Sequence, residues 1–170
     1  INDDLFIRDE ATLNMAGSEL GDELFVQGSG VATITGGYID DDLNANDSGR
    51  IMVSFVEVDD SVDTSGVGFV QFDDGIVNGG FEAVEDSVIN IAGGVFENIA
   101  GGGEVVLAGG GTINITGGTF GTPGGEDGGS LGSSLGGTLN LTSATIAGVA
   151  DGNAPEVAVN AVLNGTTTVG

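Results

Sequence analysis

The chain has 170 residues, a length that fits one domain, and it is rich in glycine and in acidic residues. Its 26 Asp and Glu residues stand against two arginines, so the formal net charge is −24. This charge argues against a nucleic-acid partner, because such binding depends on Lys and Arg that neutralise phosphates. The lack of cysteine excludes a disulfide scaffold, and no apolar run is long enough to predict membrane insertion.

Apolar residues recur with a constant 19-residue step through positions 1–100. One column contains Ile1, Leu20, Ile39, Val58, Val77 and Phe96, and a second contains Leu5, Leu24, Leu43, Val62 and Phe81. A fixed period of about 20 residues is typical of a solenoid, in which each repeat stacks on its neighbours. The repeat therefore predicts the architecture directly.

Further columns begin at Ile7, Leu13 and Met15, and polar residues separate the last two columns. This alternation is the pattern of a β-strand with one buried face. We expect an all-β fold, a single-stranded parallel β-helix (β-solenoid) that is right-handed, with about 19 residues per turn and eight to nine turns. Each turn would contain three short strands. Gly17, Gly36 and Gly93 share one corner position, where a positive φ would favour glycine.

The step becomes longer after residue 100. The segment 88–94 recurs at 112–118 and again at 138–144, so each step is longer than the one before it. We therefore predict a single domain over 1–170, with regular 19-residue turns in 1–100 and turns with loop insertions in 101–170. Insertions on one edge are typical of a binding face, but surface loops without a role are tolerated equally well.

The motif Ile-Asn-Ile-(Ala/Thr)-Gly-Gly-x-Phe occurs at 89–96 and at 113–120, with looser copies from Leu13 onward. The chain thereby resembles the parallel β-helix repeats of bacterial secreted and cell-surface proteins, such as autotransporter passenger domains and filamentous-haemagglutinin-like adhesins. The resemblance implies an extracellular or cell-surface location in bacteria and a structural or adhesive role. It carries over no functional residue.

Acidic residues follow the same step and form a ribbon along the first four turns. Its members are Asp3, Asp4, Asp22, Glu23, Asp40, Asp41, Asp42, Asp59 and Asp60. Ca²⁺ prefers six to eight oxygen ligands in flexible geometry, so calcium bound between adjacent turns is one interpretation. The other is a solvated acidic edge that keeps a β-protein soluble and discourages edge-to-edge pairing.

Threonine and asparagine dominate the outward face of the first strand of each turn. The candidate binding face consists of Thr33, Thr35, Asn90, Thr112, Asn114, Thr116, Thr138, Asn140 and Thr142. Stacked polar side chains of this kind stabilise a flat parallel sheet. A flat Thr-rich ladder also resembles the ice-binding face of some β-solenoid antifreeze proteins, so a module that binds ice or glycan through this face or the Gly-rich loops is the alternative function.

Catalysis is not expected. The chain has no His and no Cys, which rules out a Ser-His or Cys-His nucleophile. Adjacent Asp pairs occur too often to indicate one dedicated site, although a carbohydrate-active enzyme remains the least favoured alternative. We expect a structural extracellular protein, either a subunit of a head-to-tail filament or a rod module of a surface protein. Its partners would be further copies, neighbouring repeats of a longer chain, or a glycan or cell surface.

Overall fold

The computed structural model describes residues 1, 3–96, 106–120, 131–134, 137–146, 161–163 and 168–169. All regular elements in these ranges are β-strands. No helix that is long and apolar enough to cross a membrane occurs among them. The all-β prediction is therefore confirmed for the described part of the chain.

Twenty strands follow one another in chain order. They are β1 (Leu5–Ile7), β2 (Thr12–Leu20), β3 (Leu24–Val26), β4 (Val31–Ile39), β5 (Leu43–Ala45), β6 (Arg50–Val58), β7 (Val62–Thr64), β8 (Phe69–Phe72), β9 (Gly75–Val77), β10 (Phe81–Val84), β11 (Val88–Ile91), β12 (Val95–Phe96), β13 (Val106–Gly109), β14 (Thr112–Ile115), β15 (Thr119–Phe120), β16 (Leu131–Ser134), β17 (Thr138–Leu141), β18 (Thr145–Ile146), β19 (Ala161–Leu163) and β20 (Thr168–Val169).

These strands form two sheets in which the paired strands are parallel. The short strands β1, β3, β5, β7, β10, β13 and β16 pair in that order to form a seven-stranded sheet, and the other strands form a thirteen-stranded sheet. Each strand pairs with the equivalent strand of the next turn, as Leu5 does with Leu24. This pairing is the defining topology of a β-solenoid.

The 19-residue step holds for about five turns, fewer than the eight to nine that the sequence predicted. Register is regular from Leu5 to Phe81 in the smaller sheet, and the next pair there joins Phe81 to Val106 across a longer stretch of chain. In the larger sheet the step lengthens too, from Asn90 to Asn114 and again from Asn114 to Asn140. Strand pairing fixes the register, and longer connections change only the length of chain between paired strands.

The core contains the apolar columns that the sequence predicted. The columns through Leu20, Leu24, Val26, Ala32 and Ile34 are almost wholly inaccessible to solvent from the second turn onward. Burying one such Val, Leu or Ile side chain contributes about 1.5–3 kcal/mol, so stacked columns give the rod its cohesion. In the first turn, Leu5, Leu13 and Met15 are only partly buried.

One corner of the solenoid changes between the third and fourth turns. Gly17, Gly36 and Phe55 have φ values of +60°, +68° and +57°, and here the strands β2, β4 and β6 each continue through the corner. In the next two turns this position no longer has a positive φ, and the strand divides in two. The positive φ there lies one residue onward, at Gly75 and Gly94, as it also does at Gly37 in the second turn. The predicted corner at Gly93 is therefore displaced by one residue.

A second corner was not predicted, because its residues differ in type. Asp9, Gly28, Asp47, Gly66 and Glu85 occupy equivalent positions of successive turns, and all have φ between +55° and +67°. Beyond this corner the turns approach closely: a Cβ added at Gly49 or Gly68 would lie 2.1 Å from a backbone oxygen of the preceding turn.

Ser87 follows Gly68 in the same column. Its hydroxyl is buried, donates to the Val84 carbonyl at 2.6 Å and accepts from the Thr64 hydroxyl at 2.8 Å. These bonds satisfy two buried hydroxyls in an otherwise apolar core.

Candidate functional site

The acidic residues divide into two compact groups at the corner between the long and short strands of the first turns. Asp3, Asp4 and Asp22 form one group, and Glu23, Asp41 and Asp42 form the other. Within each group, one carboxylate oxygen from every residue lies within 4.8 Å of the others. The 19-residue register produces this arrangement, because Leu20 stacks on Ile39 and Leu24 on Leu43 on either side of the acids.

Three carboxyls in these groups, those of Asp4, Glu23 and Asp42, have a raised pKa. Partial desolvation and the charges of Asp22 and Asp3 raise the pKa of Asp4, and desolvation followed by the charge of Asp42 raises the pKa of Glu23. Desolvation also raises the pKa of Asp42, although the backbone N–H of Ser61 donates to its carboxylate at 2.8 Å and opposes the shift. The groups are therefore electrostatically uncompensated.

The two basic residues of the chain are placed away from these groups. The guanidinium of Arg8 lies over the ring of Phe6 at 4.3 Å, and that of Arg50 lies over Phe69 at the same distance. These are cation–π geometries. Relief of the acidic repulsion therefore has to come from protons, salt or a bound cation.

The remaining acids of the predicted ribbon make separate contacts. Asp40 accepts a hydrogen bond from the Tyr38 hydroxyl at 2.9 Å, and this bond raises the pKa of the phenol. Asp59 accepts from the Asn78 amide at 2.9 Å, and Asp60 accepts from the neighbouring Ser61 hydroxyl at 3.3 Å. The structure thus brings six of the nine predicted acids together in two trios and leaves three outside them.

The chemistry of the two trios suits a hard cation. Three carboxylates offer up to six oxygens, and Ca²⁺ accepts both monodentate and bidentate carboxylates. Exposed or half-exposed acids also occur without an ion, and in that case they serve solubility. The geometry therefore permits calcium between the first two turns and between the second and third.

Asp63 is an unusual carboxyl that the sequence reasoning missed. It lies on the outward face of β7, half-buried, in register with Asn44 on β5 and Glu82 on β10. Burial, together with the charges of Asp42 and Glu82, raises its pKa to about 7. The signal in the sequence was the outward column of the short strand, in which Asp63 and Glu82 occupy equivalent positions of successive turns.

A ladder of side-chain amides runs along the outer face of the larger sheet. Asn140 donates to Asn114 at 2.7 Å, Asn114 donates to Asn90 at 2.8 Å, and Asn90 donates to Gln71 at 3.2 Å. Gln71 in turn donates to the Asp73 carboxylate at 2.8 Å. The strands β8, β11, β14 and β17 pair in register, so equivalent side chains meet. Each of the three asparagines donates one N–H to the amide of the preceding turn.

The amide ladder forms one wall of a surface groove of about 440 Å³, which we call the amide groove. Its lining residues are Gln71, Asn90, Asn114, Thr116, Asn140 and Thr142. Five of the nine residues predicted as a binding face therefore line one groove. Thr112 and Thr138 stack in the next outward column, two residues earlier on the same strands.

Thr33 and Thr35 belong to the same face but not to the amide groove. Thr33 pairs with Met52, and Met52 pairs with Gln71, so an apolar side chain interrupts the polar column. The uniform Thr surface that an ice-binding face would need is absent from these described turns. The other predicted binding region, the Gly-rich loops, falls largely outside the described residues.

No protein-family model, curated protein or solved structure matches this chain. The relationship to bacterial secreted and surface β-helix proteins therefore stays a resemblance based on the repeat, while the β-solenoid itself is a property of the structure. Function has to be argued from the geometry of the rod, the acidic trios and the amide groove, because a fold alone does not imply an activity.

Proposed function

We propose that this protein is a structural element, a β-solenoid rod that is extended by stacking further turns onto its own. The observation that carries the proposal is the set of in-register core columns, which continue from one turn to the next and include buried side chains from Leu20 to Leu141. Such a rod gains stability from each additional turn, because each turn contacts only its neighbours. The same proposal includes a right-handed solenoid that has more turns than the five regular ones. It also includes a location on the surface of a bacterial cell or outside it.

The first turn supplies the surface for stacking. Leu5, Leu13 and Met15 are only partly buried, and Ile1 is 67% exposed. Together with Leu20 they form the apolar part of an open cavity of about 390 Å³, whose lining also includes Asn14, Ser18 and Glu19. The strands β1 and β2 are each paired on one side, with β3 and β4. A strand edge above an apolar cavity is a template for another parallel turn, from a second copy or from neighbouring repeats of a longer chain.

The oligomeric state of the purified chain tests this proposal. We expect sedimentation velocity to show concentration-dependent growth and negative-stain microscopy to show short rods or filaments. Met15→Glu places a charge among the apolar residues of this cavity, at a side chain that packs against the core, so it should reduce association at least tenfold. Ile76→Glu is the matched control, since it introduces the same charge at a partly exposed position on the outer face of β9. A clean monomer at high concentration would contradict stacking between copies.

A second candidate role, calcium binding, is favoured by the two acidic trios. Their carboxylate oxygens lie within 4.8 Å of one another, and both trios contain acids from two successive turns. Calcium bound there would link the first three turns to one another. Its charge would also offset the desolvation and the repulsion that together raise the pKa of Asp4, Glu23 and Asp42. A higher melting temperature with Ca²⁺ than with a chelator is the expected result.

A further inference from the structure

The amide groove is an uncharged polar surface on a strongly acidic chain. All six of its lining side chains are amides or hydroxyls, although the sequence has 26 acidic residues. The carboxylate of Asp73, which is not among the lining residues, accepts a hydrogen bond from Gln71. A ligand in the amide groove therefore meets neutral hydrogen-bonding groups, while the net charge of −24 repels polyanions from the molecule as a whole.

The ladder leaves hydrogen-bonding capacity for a ligand. A carboxamide has two N–H donors and two acceptor lone pairs. Within the ladder, Asn114 uses one N–H toward Asn90 and one lone pair toward Asn140. One donor and one acceptor of this amide thus lie outside the ladder. Thr116 adds a hydroxyl whose proton is directed to the Ile91 carbonyl at 3.3 Å, which leaves its oxygen as an acceptor.

We propose that the amide groove binds a neutral, unbranched polysaccharide that lies along the axis of the solenoid. Paired donors and acceptors that recur at each rung match the vicinal hydroxyls of a sugar, each of which both donates and accepts. Successive rungs are about 4.8 Å apart, a spacing comparable with one pyranose ring in an extended chain. The ladder also has a direction, since the N–H groups that bridge its rungs all point from the later turn to the earlier one and end at Gln71, and a polysaccharide chain is likewise directional.

The expected affinity comes from hydrogen bonds that several successive rungs make to one polysaccharide chain. The lining residues of the amide groove include no aromatic side chain on which a sugar ring could stack, so each rung contributes only its hydrogen bonds. Several rungs act on one continuous ligand, and the second and third contacts are then intramolecular. Long chains should therefore bind much more tightly than the corresponding disaccharides.

Affinity electrophoresis of the whole chain tests this inference. Native gels would contain mixed-linkage β-glucan or pullulan, which are both neutral and unbranched, or polygalacturonate. We expect retardation in at least one neutral gel and none in polygalacturonate, with binding in solution confirmed by calorimetry with cellohexaose or mannohexaose. Unchanged mobility in both neutral gels would overturn the proposal, and so would retardation by the polyanion alone.

Two double variants separate binding from stability. Thr116→Ala with Thr142→Ala removes two hydroxyls of the amide groove and keeps the amide ladder, so binding should weaken about tenfold. Thr33→Ala with Thr35→Ala makes the same change on the same sheet outside the groove and should leave the affinity unchanged. Equal effects of the two double variants would show that the amide groove is not the binding site.

Discussion

At the scale of single residues, Phe55 is the clearest case of a non-glycine residue in an unfavourable backbone conformation. It has φ +57° at a corner where the two preceding turns have glycine, and its ring is 68% exposed. A non-glycine residue in the left-handed region costs about 1–2 kcal/mol. The exposed ring recovers little of this by burial.

We therefore expect Phe55→Gly to stabilise the rod by up to about 1 kcal/mol, because the relief of strain exceeds the entropy that glycine adds to the unfolded chain. Urea unfolding would measure the change. Ser54→Gly is the control, since Ser54 lies one residue earlier in β6 without a positive φ and should lose stability. Destabilisation by both variants would contradict the assignment of strain to Phe55.

Asp63 makes the stability of the rod depend on pH. The pKa of its carboxyl is about 7 in the folded chain, compared with 3.8 as the ordinary value. The folded state therefore binds more protons than the unfolded state between these limits, and the free energy of unfolding falls as pH rises from about 4 to 7. Above pH 7 the ionised carboxylate is destabilising at a constant level.

Asp63→Asn should remove this dependence. We expect its melting temperature at pH 8 to exceed that of the unchanged chain by at least about 3 °C, with a smaller difference at pH 4. Asp86→Asn, which removes the same charge from an exposed corner, is the matched control. An Asp63→Asn profile that runs parallel to that of the unchanged chain would exclude Asp63 as the titrating group.

At the scale of elements, the amide ladder connects four strands of the larger sheet. Asn114 lies in the middle of the ladder, between Asn90 and Asn140. Its replacement by alanine would leave the acceptor of Asn90 and the donor of Asn140 without their ladder partner. Both side chains are half-buried, so water would replace these bonds only in part.

We expect Asn114→Ala to lower the free energy of unfolding by about 1–3 kcal/mol, measured by urea unfolding. Thr112→Ala changes an outward residue of the same strand, β14, that is outside the ladder and should have a smaller effect. A loss of equal size in both variants would show that strand propensity, and not the ladder, determines the result.

At the scale of the whole molecule, charge is distributed unevenly. Most of the 26 acidic residues and both arginines lie within positions 1–100. Repulsion among these acids opposes the compact state, and simple salt screens exposed charges over about 10 Å at 0.1 M. Sodium chloride should therefore raise the melting temperature moderately, whether or not a cation binds.

Calcium binding predicts more than screening. At equal ionic strength, millimolar Ca²⁺ should raise the melting temperature by several degrees beyond NaCl, and Asp22→Asn with Asp41→Asn should abolish the excess. Asp47→Asn with Asp86→Asn removes the same number of charges from the other corner and should retain it. Equal melting curves in Ca²⁺ and in chelator would contradict calcium binding, and solubility would then be the role of these acidic residues.

The sequence by itself determined the β-solenoid, because a repeat that stacks on its own neighbours shows its register as a period. The buried columns through Leu20, Leu24 and Ile34 follow directly from the 19-residue step. The same step identified acids and amides that would lie near their equivalents in the next turn. The sequence alone therefore shows which residues of successive turns stack on one another along the solenoid axis.

Only the tertiary structure decided which side chains meet across a corner. It separated Asp40 and Asp59 from the two acidic trios, and it gave Asp63 partial burial between acidic neighbours. The position of Met52 between Thr33 and Gln71, by contrast, follows from the 19-residue step, and it limits the polar face to later turns. The period fixes the neighbours along the rod, but side-chain direction at a corner depends on local φ and on packing, which a one-dimensional repeat does not contain.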